Sequence, residues 1–320
     1  MTINNVIEKI KESKKVAITF HTSPDGDSLG SSTALTLALR SLGKDCSILC
    51  KEAIPQTFTY LPCSEEITGE NYNVEKDIDL VIVLDCGDFK RINAEILLED
   101  RNYTLINLDH HMSNELYGDL NYVNTNAAAV GEIVYQILKL LDISLTKEIG
   151  IALYTSLLTD TGSFRHSNTT SDTHNIAGDI INTGIDFSEI HRIIFDNKSF
   201  NKVKLYGKVI ETMTLECNKK VVFMELTNKI LKELNLDGSD TSDLIAFGSK
   251  VEGAEVTVLI KESEDGVKVS LRSKNKVDVR KVAEDFNGGG HIRAAGFVAE
   301  SNIQTIKEKL ITILEKELIQ

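Results

Sequence analysis

Short runs of consecutive apolar residues alternate with longer stretches whose apolar positions recur every three or four residues, and this alternation organises the N-terminal part of the chain. Lys15–Phe20 (KVAITF), Cys46–Cys50, Leu80–Asp85 (LVIVLD) and Thr104–Asp109 (TLINLD) read as strands. They lack the polar alternation of a half-exposed strand and so suit a parallel sheet covered on both faces. Ser28–Leu42 (stopped by Gly43), Ala127–Leu141, Lys147–Leu158, Ser171–Asn182 and Phe187–Phe195 carry helical periodicity. The expected architecture is α/β, a doubly wound, mainly parallel sheet finishing in a helical stretch.

Beyond Asn218 the pattern changes. A charged, helix-like segment over Ser199–Glu216 leads to a strand at Val221–Leu226, a helix at Asn228–Leu236 and another helix ending at Leu244. Glu255–Lys261 and Val267–Arg272 read as paired strands, and Glu264-Asp265-Gly266 between them carries a hairpin signal. A helix at Val279–Phe286, a glycine triplet, a strand at Ala294–Ala299 and a long terminal helix complete a smaller mixed α+β unit. The expected organisation is a first domain at residues 1–196, a helical linker at 197–216 and a second domain at 217–320.

Composition narrows the function. With 42% hydrophobic and 26% charged residues the 320-residue chain is globular, which excludes disorder and fibrous repeats. Lys plus Arg number 35 against 48 Asp plus Glu, a formal charge of −13. A field of that sign repels long polyanions, so duplex DNA and anionic membrane surfaces are not expected partners, whereas a short phosphorylated ligand in a local basic pocket is compatible. The five cysteines form no CxxC pair and point to a reducing compartment. Met1–Lys15 lacks the apolar core of a signal peptide and no stretch approaches a membrane span, so the expected location is cytoplasmic.

The chemistry gathers at strand ends. Lys15–Phe20 runs into His21-Thr22-Ser23-Pro24-Asp25-Gly26-Asp27, Leu80–Leu84 ends in Asp85, and Thr104–Leu108 ends in Asp109-His110-His111. The C-terminal ends of parallel strands share one edge, where ligands bind. Pro-Asp-Gly-Asp alone is also an ordinary turn, and a lone strand-ending Asp an ordinary cap. Together these groups are too many carboxylates to ionise in a small space without a cation. Oxygen donors mixed with a few imidazoles suit Mn or Mg rather than structural Zn. Asp160, in Thr159-Asp160-Thr161-Gly162 at a helix end, is a further candidate.

In the second domain, Gly288, Gly289 and Gly290 followed by His291 can present backbone N–H groups to an anion, with Arg293 nearby. Lys268, Ser270, Arg272 and Lys274 alternate on one strand face. That basic stripe in an acidic chain suggests a phosphate handle.

These residues resemble the motifs of the DHH phosphoesterases: His21 with Pro24-Asp25-Gly26-Asp27, then Asp85, Asp109-His110-His111 and Thr159-Asp160-Thr161-Gly162. Gly288-Gly289-Gly290-His291 with Ala294-Ala295-Gly296-Phe297 resembles the accompanying DHHA1 domain. The likeness spans nearly the whole chain in the expected order, and the short two-domain form is most similar to NrnA-type oligoribonuclease/pAp phosphatases. It lacks the OB-fold of RecJ-type exonucleases and the membrane and sensor segments of cyclic-dinucleotide phosphodiesterases. The resemblance implies an active site in the cleft between the two domains and two Mn²⁺ ions, with Mg²⁺ as the alternative. His21, Asp25 and Asp85 would hold one ion, and Asp27, Asp85, His110 and Asp160 the other, with Asp85 bridging. Asp109 would orient a histidine, His111 would face the scissile phosphate, and Ser270, Arg272, the three glycines and His291 would hold a phosphate or terminal nucleotide. The implied activity is cleavage of short oligoribonucleotides and linear dinucleotides to mononucleotides, with removal of the 3′-phosphate of pAp. A pyrophosphate or polyphosphate hydrolase and a non-catalytic nucleotide sensor are the rival readings, and a homodimer is compatible with the sequence.

Overall fold

The computed structural model describes residues 2–238, 241, 243–263 and 266–319, and the chain divides into two compact units, Met1–Asn197 and Lys198–Gln320. In the first unit the buried apolar runs form strands β1 (Lys15–Thr19), β2 (Asp45–Ile48), β3 (Leu80–Leu84), β4 (Thr104–Asp109) and β5 (Leu120–Val123). All pair in parallel, in the order β2-β1-β3-β4-β5. Alternate residues serve opposite faces. Val16, Ile18, Ile82, Leu84, Ile106 and Leu108 join the larger core, whereas Ala17, Val81, Val83 and Leu105 join a smaller one.

The α-helices of this unit pack on the larger core: α1 (Ile3–Glu12), α2 (Gly26–Ser41), α3 (Val130–Leu140), α4 (Lys147–Asp160), α5 (Ser171–Ile181) and α6 (Phe187–His191), which runs on into a π turn at Arg192–Asp196. The smaller core is closed by irregular chain carrying Ile78, Ile92, Ala94 and Ile96. Both faces of the sheet are therefore covered, but among the described residues no α-helix packs on the second, where a single 3-10 turn at Phe89–Arg91 contributes Phe89. The central helix α2 is buried on nearly every side, and its small polar residues bond back to the helix, Ser32 Oγ to the Ser28 carbonyl (2.7 Å) and Thr36 Oγ1 to the Ser32 carbonyl (2.8 Å). That satisfies hydroxyls which burial would otherwise penalise.

The second unit contains α7 (Phe200–Glu211), β6 (Thr214–Glu216), β7 (Val221–Leu226), α8 (Asn228–Glu233), α9 (Ile245–Ser249), β8 (Val256–Ser263), β9 (Gly266–Ser273), α10 (Val279–Glu284), β10 (Gly289–His291), β11 (Ala294–Ala299) and α11 (Ile303–Ile319). Its sheet runs β10-β11-β9-β8-β7-β6, with β7 and β8 parallel and the other pairs antiparallel. One face packs Val258, Val269 and Leu271 against Val279 and Val282 of α10 and Leu310 of α11. On the other face Val222, Met224 and Leu259 pack with Leu205 and Val209 of α7, Leu231 of α8 and Ile245 of α9. The β9-β11-β10 end of that face stays open, with Lys268, Arg272, His291 and Val298 exposed.

The strands β5, β6 and β10 are absent from the sequence pattern because they are short and lie at or near sheet edges, with no fully buried residue among them. The expected Glu264-Asp265-Gly266 turn falls partly on residues outside those described, although Ser263 and Gly266 pair across it. The helix expected up to Leu244 likewise overlaps residues outside the described set, and the described helix begins at Ile245. No helix among the described residues is long and apolar enough to cross a membrane, and all five cysteines are free thiols.

Candidate active site

The strand order makes β1 and β3 neighbours while the chain leaves them in opposite directions, toward β2 and toward β4. A crevice opens at such a reversal, beyond the C-terminal ends of the strands. The sequence fills it with His21 after β1, Asp85 after β3 and Asp109 at the end of β4.

Two imidazoles share one arrangement. His21 Nδ1 lies 2.8 Å from the Thr22 carbonyl, and its Nε2 faces Asp85 Oδ2 (3.4 Å) and Asp25 Oδ2 (3.7 Å). His110 Nδ1 lies 3.1 Å from the Ala127 carbonyl, and its Nε2 faces Asp160 Oδ2 (3.6 Å), Asp85 Oδ1 (3.7 Å) and Asp27 Oδ2 (3.9 Å). A ring N–H donated to a carbonyl fixes the tautomer and leaves the opposite nitrogen as a lone-pair donor.

The carboxylates are held by local structure. Asp25 is the N-cap of α2, accepting from the Asp27 and Ser28 amides (3.1 and 3.0 Å) through Oδ1. Capping and site roles coexist here, because Oδ2 is the oxygen that faces His21. Asp27, 1% exposed, accepts from the Val130 and Gly131 amides and from Ser156 Oγ (2.8, 3.2 and 2.5 Å). It thereby satisfies the N-terminus of α3, whose own N-cap residue, Ala129, has no side-chain acceptor. Asp85 is 3% exposed and sits at φ +54°, a left-handed conformation that Asp tolerates better than most residues. Asp160 closes α4, and Asn168 Nδ2 donates to its carbonyl (3.2 Å).

Burial drives the Asp85 carboxyl upward from the ordinary carboxylate range, and the Asp25 charge adds to it. Asp27 is raised well above that range by burial and by the charges of Asp85 and Asp160. Asp160 is raised to about 6, again by burial first. His21 rises to about 10, since Asp25 and Asp85 outweigh the burial that opposes its charge. The five carboxylates of the cluster, Asp25, Asp27, Asp85, Asp109 and Asp160, outnumber its three imidazoles. Asp85 Oδ1 is buried with no hydrogen-bond partner among the described residues, and an orphaned carboxylate oxygen is costly unless a cation meets it. The donors also meet the geometric requirement for holding metal, since His21, Asp25 and Asp85 bring one ligand atom each to within 4.8 Å of one another, as do Asp27, His110 and Asp160, and Asp85, His110 and His111. Carboxylates with imidazole nitrogens suit a divalent ion.

Asp109 faces a different task. It is fully buried and its Oδ1 accepts from His111 Nδ1 (2.8 Å) and from the His110 and His111 amides (2.8 and 3.3 Å), while Asn114 Nδ2 donates to Oδ2 (2.5 Å). Burial opposes its ionisation, yet the His111 and Asn114 hydrogen bonds hold it below the usual range. In return the Asp109 hydrogen bond raises His111 above its ordinary value. His111 is half exposed, so its ring is available to a ligand.

All eight candidates of the first unit thus occupy one cluster. Asn114, Ser156 and Asn168 complete it, and no sequence signal marked them, because single amides and hydroxyls in loops and helices are too common to stand out. In the second unit, β-sheet register sets Arg272, Ala294 and His291 in one cross-strand row and Ser270, Gly296 and Gly289 in the next. Directly paired residues share a face, so Arg272, Ser270 and His291 surround a floor of Ala and Gly. The glycines differ in role. At Gly290 (φ +141°) a Cβ would meet the Ala295 Cα at 2.6 Å, and at Gly288 it would meet the Ala283 carbonyl oxygen at 3.0 Å, whereas at Gly289 it would meet nothing within 4 Å. Close strand packing therefore explains two of them, and only Gly289 stands open. Arg293 is committed elsewhere, to the Val277 carbonyl (2.9 Å).

Known proteins resemble this chain in sequence and in fold. Residues 15–159 match the N-terminal domain of the DHH family and residues 218–316 match the DHHA1 domain. The bifunctional oligoribonuclease and PAP phosphatase NrnA of Thermus thermophilus is 31% identical over 305 residues, covering 95% of this chain and 90% of that protein. Its namesake from Bacillus subtilis is 30% identical over 284 residues, 86% of each chain. Among solved structures, an exopolyphosphatase-related protein from Bacteroides fragilis superposes with a TM-score of 0.88 at 23% identity, over 99% of this chain and 97% of that one, which establishes a common fold.

Proposed function

The chain belongs to the DHH family and carries a DHHA1 domain, and from that premise we propose that it is a phosphohydrolase using two Mn²⁺ ions to cleave short oligoribonucleotides and linear dinucleotides such as pApA, and to remove the 3′-phosphate of pAp. The observation that carries this reading is Asp85, whose two oxygens face different donor groups, Oδ2 toward His21 and Oδ1 toward His110. His21, Asp25 and Asp85 would hold one ion, and Asp27, Asp85, His110 and Asp160 the second, with Mg²⁺ able to serve in their place. When bound, such ions offset the charge on the attacking and leaving oxygens of an in-line displacement.

The remaining work falls to the chain's own side chains. Asp109 fixes the His111 ring through Nδ1 and favours its protonated form, leaving Nε2 to donate to a phosphate oxygen or to the leaving group. Ser270, Arg272, Gly289 and His291 of the second domain form the surface that would take the rest of the substrate. The names of the NrnA relatives, oligoribonuclease and PAP phosphatase, support the choice of substrate.

Chain length should matter. Longer RNA adds phosphates that meet a net charge of −13, in a chain with no Trp to stack their bases. With Mn²⁺ at fixed salt, initial rates on pAp, diadenylate, a series of longer RNAs and pyrophosphate test the proposal. The expected kcat/KM is highest on the diadenylate and falls with length. A flat or rising length dependence would favour a processive exonuclease, and pyrophosphate as the best substrate would overturn the nucleotide reading.

A further inference from the structure

One arginine beside the acid and histidine cluster lacks the kind of partner that the other four arginines of the first unit have. Arg40 pairs with Glu66 (2.7 Å), Arg101 with Asp119 (2.7 Å) and Arg192 with Glu189 (2.5 Å), while Arg165 Nε donates to the Gly162 carbonyl (2.7 Å). Arg91 is exposed. Among the described residues its guanidinium makes no ion pair and has a single polar contact, Nη2 at 3.5 Å from His21 Nδ1. That contact satisfies neither group. The His21 Nδ1 proton goes to the Thr22 carbonyl at 2.8 Å, so the arginine faces another donor and finds no acceptor.

The backbone fixes its place. Asp88 caps the 3-10 turn at Phe89–Arg91 by accepting from the Lys90 amide (2.8 Å). The chain leaving that turn is tied to the segment that follows β1. The Thr22 amide donates to the Arg91 carbonyl (2.6 Å), the Asn93 amide donates to the Phe20 carbonyl (2.8 Å), and His21 and Ile92 form an antiparallel bridge. Ile92 and Asn93 are buried, so Arg91 is an exposed side chain on an anchored base. Glu52, which bonds to the same segment, is taken by the Ser23 amide (2.6 Å) and Asn93 Nδ2 (3.0 Å). The chain carries a net charge of −13. A guanidinium held next to an acid cluster in such a chain, yet bonded to no anion, is placed for one that arrives with a ligand.

We propose that Arg91 is a phosphate-contacting residue of the first unit, meeting the substrate from the His21 side of the site. The inference rests on the hydrolase reading above and adds to it a substrate contact outside the donor cluster and outside the second unit. The planar fork of a guanidinium matches two phosphate oxygens at once, which an ammonium cannot do. His111 approaches Asp85 Oδ1 (3.6 Å), whereas His21, with Arg91 at its other ring nitrogen, approaches Asp85 Oδ2 (3.4 Å). A phosphate seated over Asp85 would therefore have His111 on one flank and Arg91 on the other.

The test compares kcat/KM of the wild type, Arg91→Ala and Arg91→Lys with saturating Mn²⁺ on two substrates, adenylyl-adenosine, which has only the reacting phosphate, and pAp. Arg91→Ala should lose roughly ten- to hundredfold, the worth of one charge-assisted contact. Arg91→Lys should recover only part of that, because it keeps the charge without the fork. A fall on both substrates makes the reacting phosphate the partner, and a fall on pAp alone makes it the second phosphate. Bound Mn²⁺ per chain should not change, and added guanidinium ion should restore part of the Arg91→Ala activity, a recovery that a merely structural role would not give. Unchanged kcat/KM on both substrates, or a loss that follows loss of bound metal, would overturn the proposal. Calorimetric titration of AMP and of adenosine into the Mn²⁺-loaded wild type and Arg91→Ala separates this proposal from the hydrolase reading. If the wild type turns over neither substrate, the hydrolase reading fails, while an AMP preference that Arg91→Ala loses still supports the phosphate contact. An AMP preference that the variant keeps, or none in the wild type, overturns it.

Discussion

Asp85→Asn should abolish turnover, by at least about a thousandfold, in a chain that still folds. Among the described residues Asp85 is the one carboxylate within reach of both histidine-centred donor groups, and an amide supplies neither the negative charge nor two equivalent oxygens. Asn is the informative replacement because it also tolerates the left-handed backbone at φ +54°, so loss of activity would not reflect strain. The metal-free variant should be at least as stable as metal-free wild type at neutral pH. The sign follows from linkage: the raised folded-state pKa of Asp85 means that its ionised form opposes folding above the ordinary carboxylate range, and the amide removes that penalty. Thermal unfolding with and without Mn²⁺ reads this directly, and the stabilisation by the ion should shrink in the variant. Near-normal activity with undiminished metal content would remove Asp85 from the site.

His111→Ala should lower kcat by roughly 10²- to 10⁴-fold, the usual range for a group that moves or holds a proton at the reacting centre. Bound metal should be retained, because His21, Asp25, Asp27, Asp85, His110 and Asp160 remain. The partner variant Asp109→Asn separates proton donation from positioning. Asp109 raises the His111 pKa through the 2.8 Å hydrogen bond, so removing its charge lowers that value, and the alkaline limb of the kcat profile should move to lower pH. A limb that stays in place while kcat falls would make His111 a positioning group. Loss of metal in His111→Ala would show it to be a ligand, the alternative that its approach to Asp85 Oδ1 (3.6 Å) permits.

Much of this site is written in the sequence because parallel strands deliver their ends to one edge: a run such as LVIVLD identifies both the buried strand and the place of its Asp. What the sequence withholds is set by contacts between distant segments. Asp27 receives its hydrogen bonds from Val130, Gly131 and Ser156, more than a hundred residues away, and no local pattern announces them. The closure of one sheet face by irregular chain is equally invisible, since Ile78 stands alone and the brief alternation of Ile92, Ala94 and Ile96 reads like a short strand rather than a covering loop. In the second unit the strand alternation of Lys268, Ser270 and Arg272 was legible, but their pairing with Lys261 and with the β11–β10 row depends on register. The glycine triplet shows the limit of composition most clearly: it suggests an anion cradle, whereas packing against β11 and the end of α10 accounts for Gly288 and Gly290.

The central claim is that this acid and histidine cluster works as a two-ion centre on very short nucleotide chains. The most direct measurement titrates Mn²⁺ into chelator-treated protein and follows bound metal per chain together with the initial rate on diadenylate. The expected result is two ions bound per chain, with turnover appearing as the second site fills. Full turnover with a single bound ion, or in the absence of any divalent ion, would contradict it.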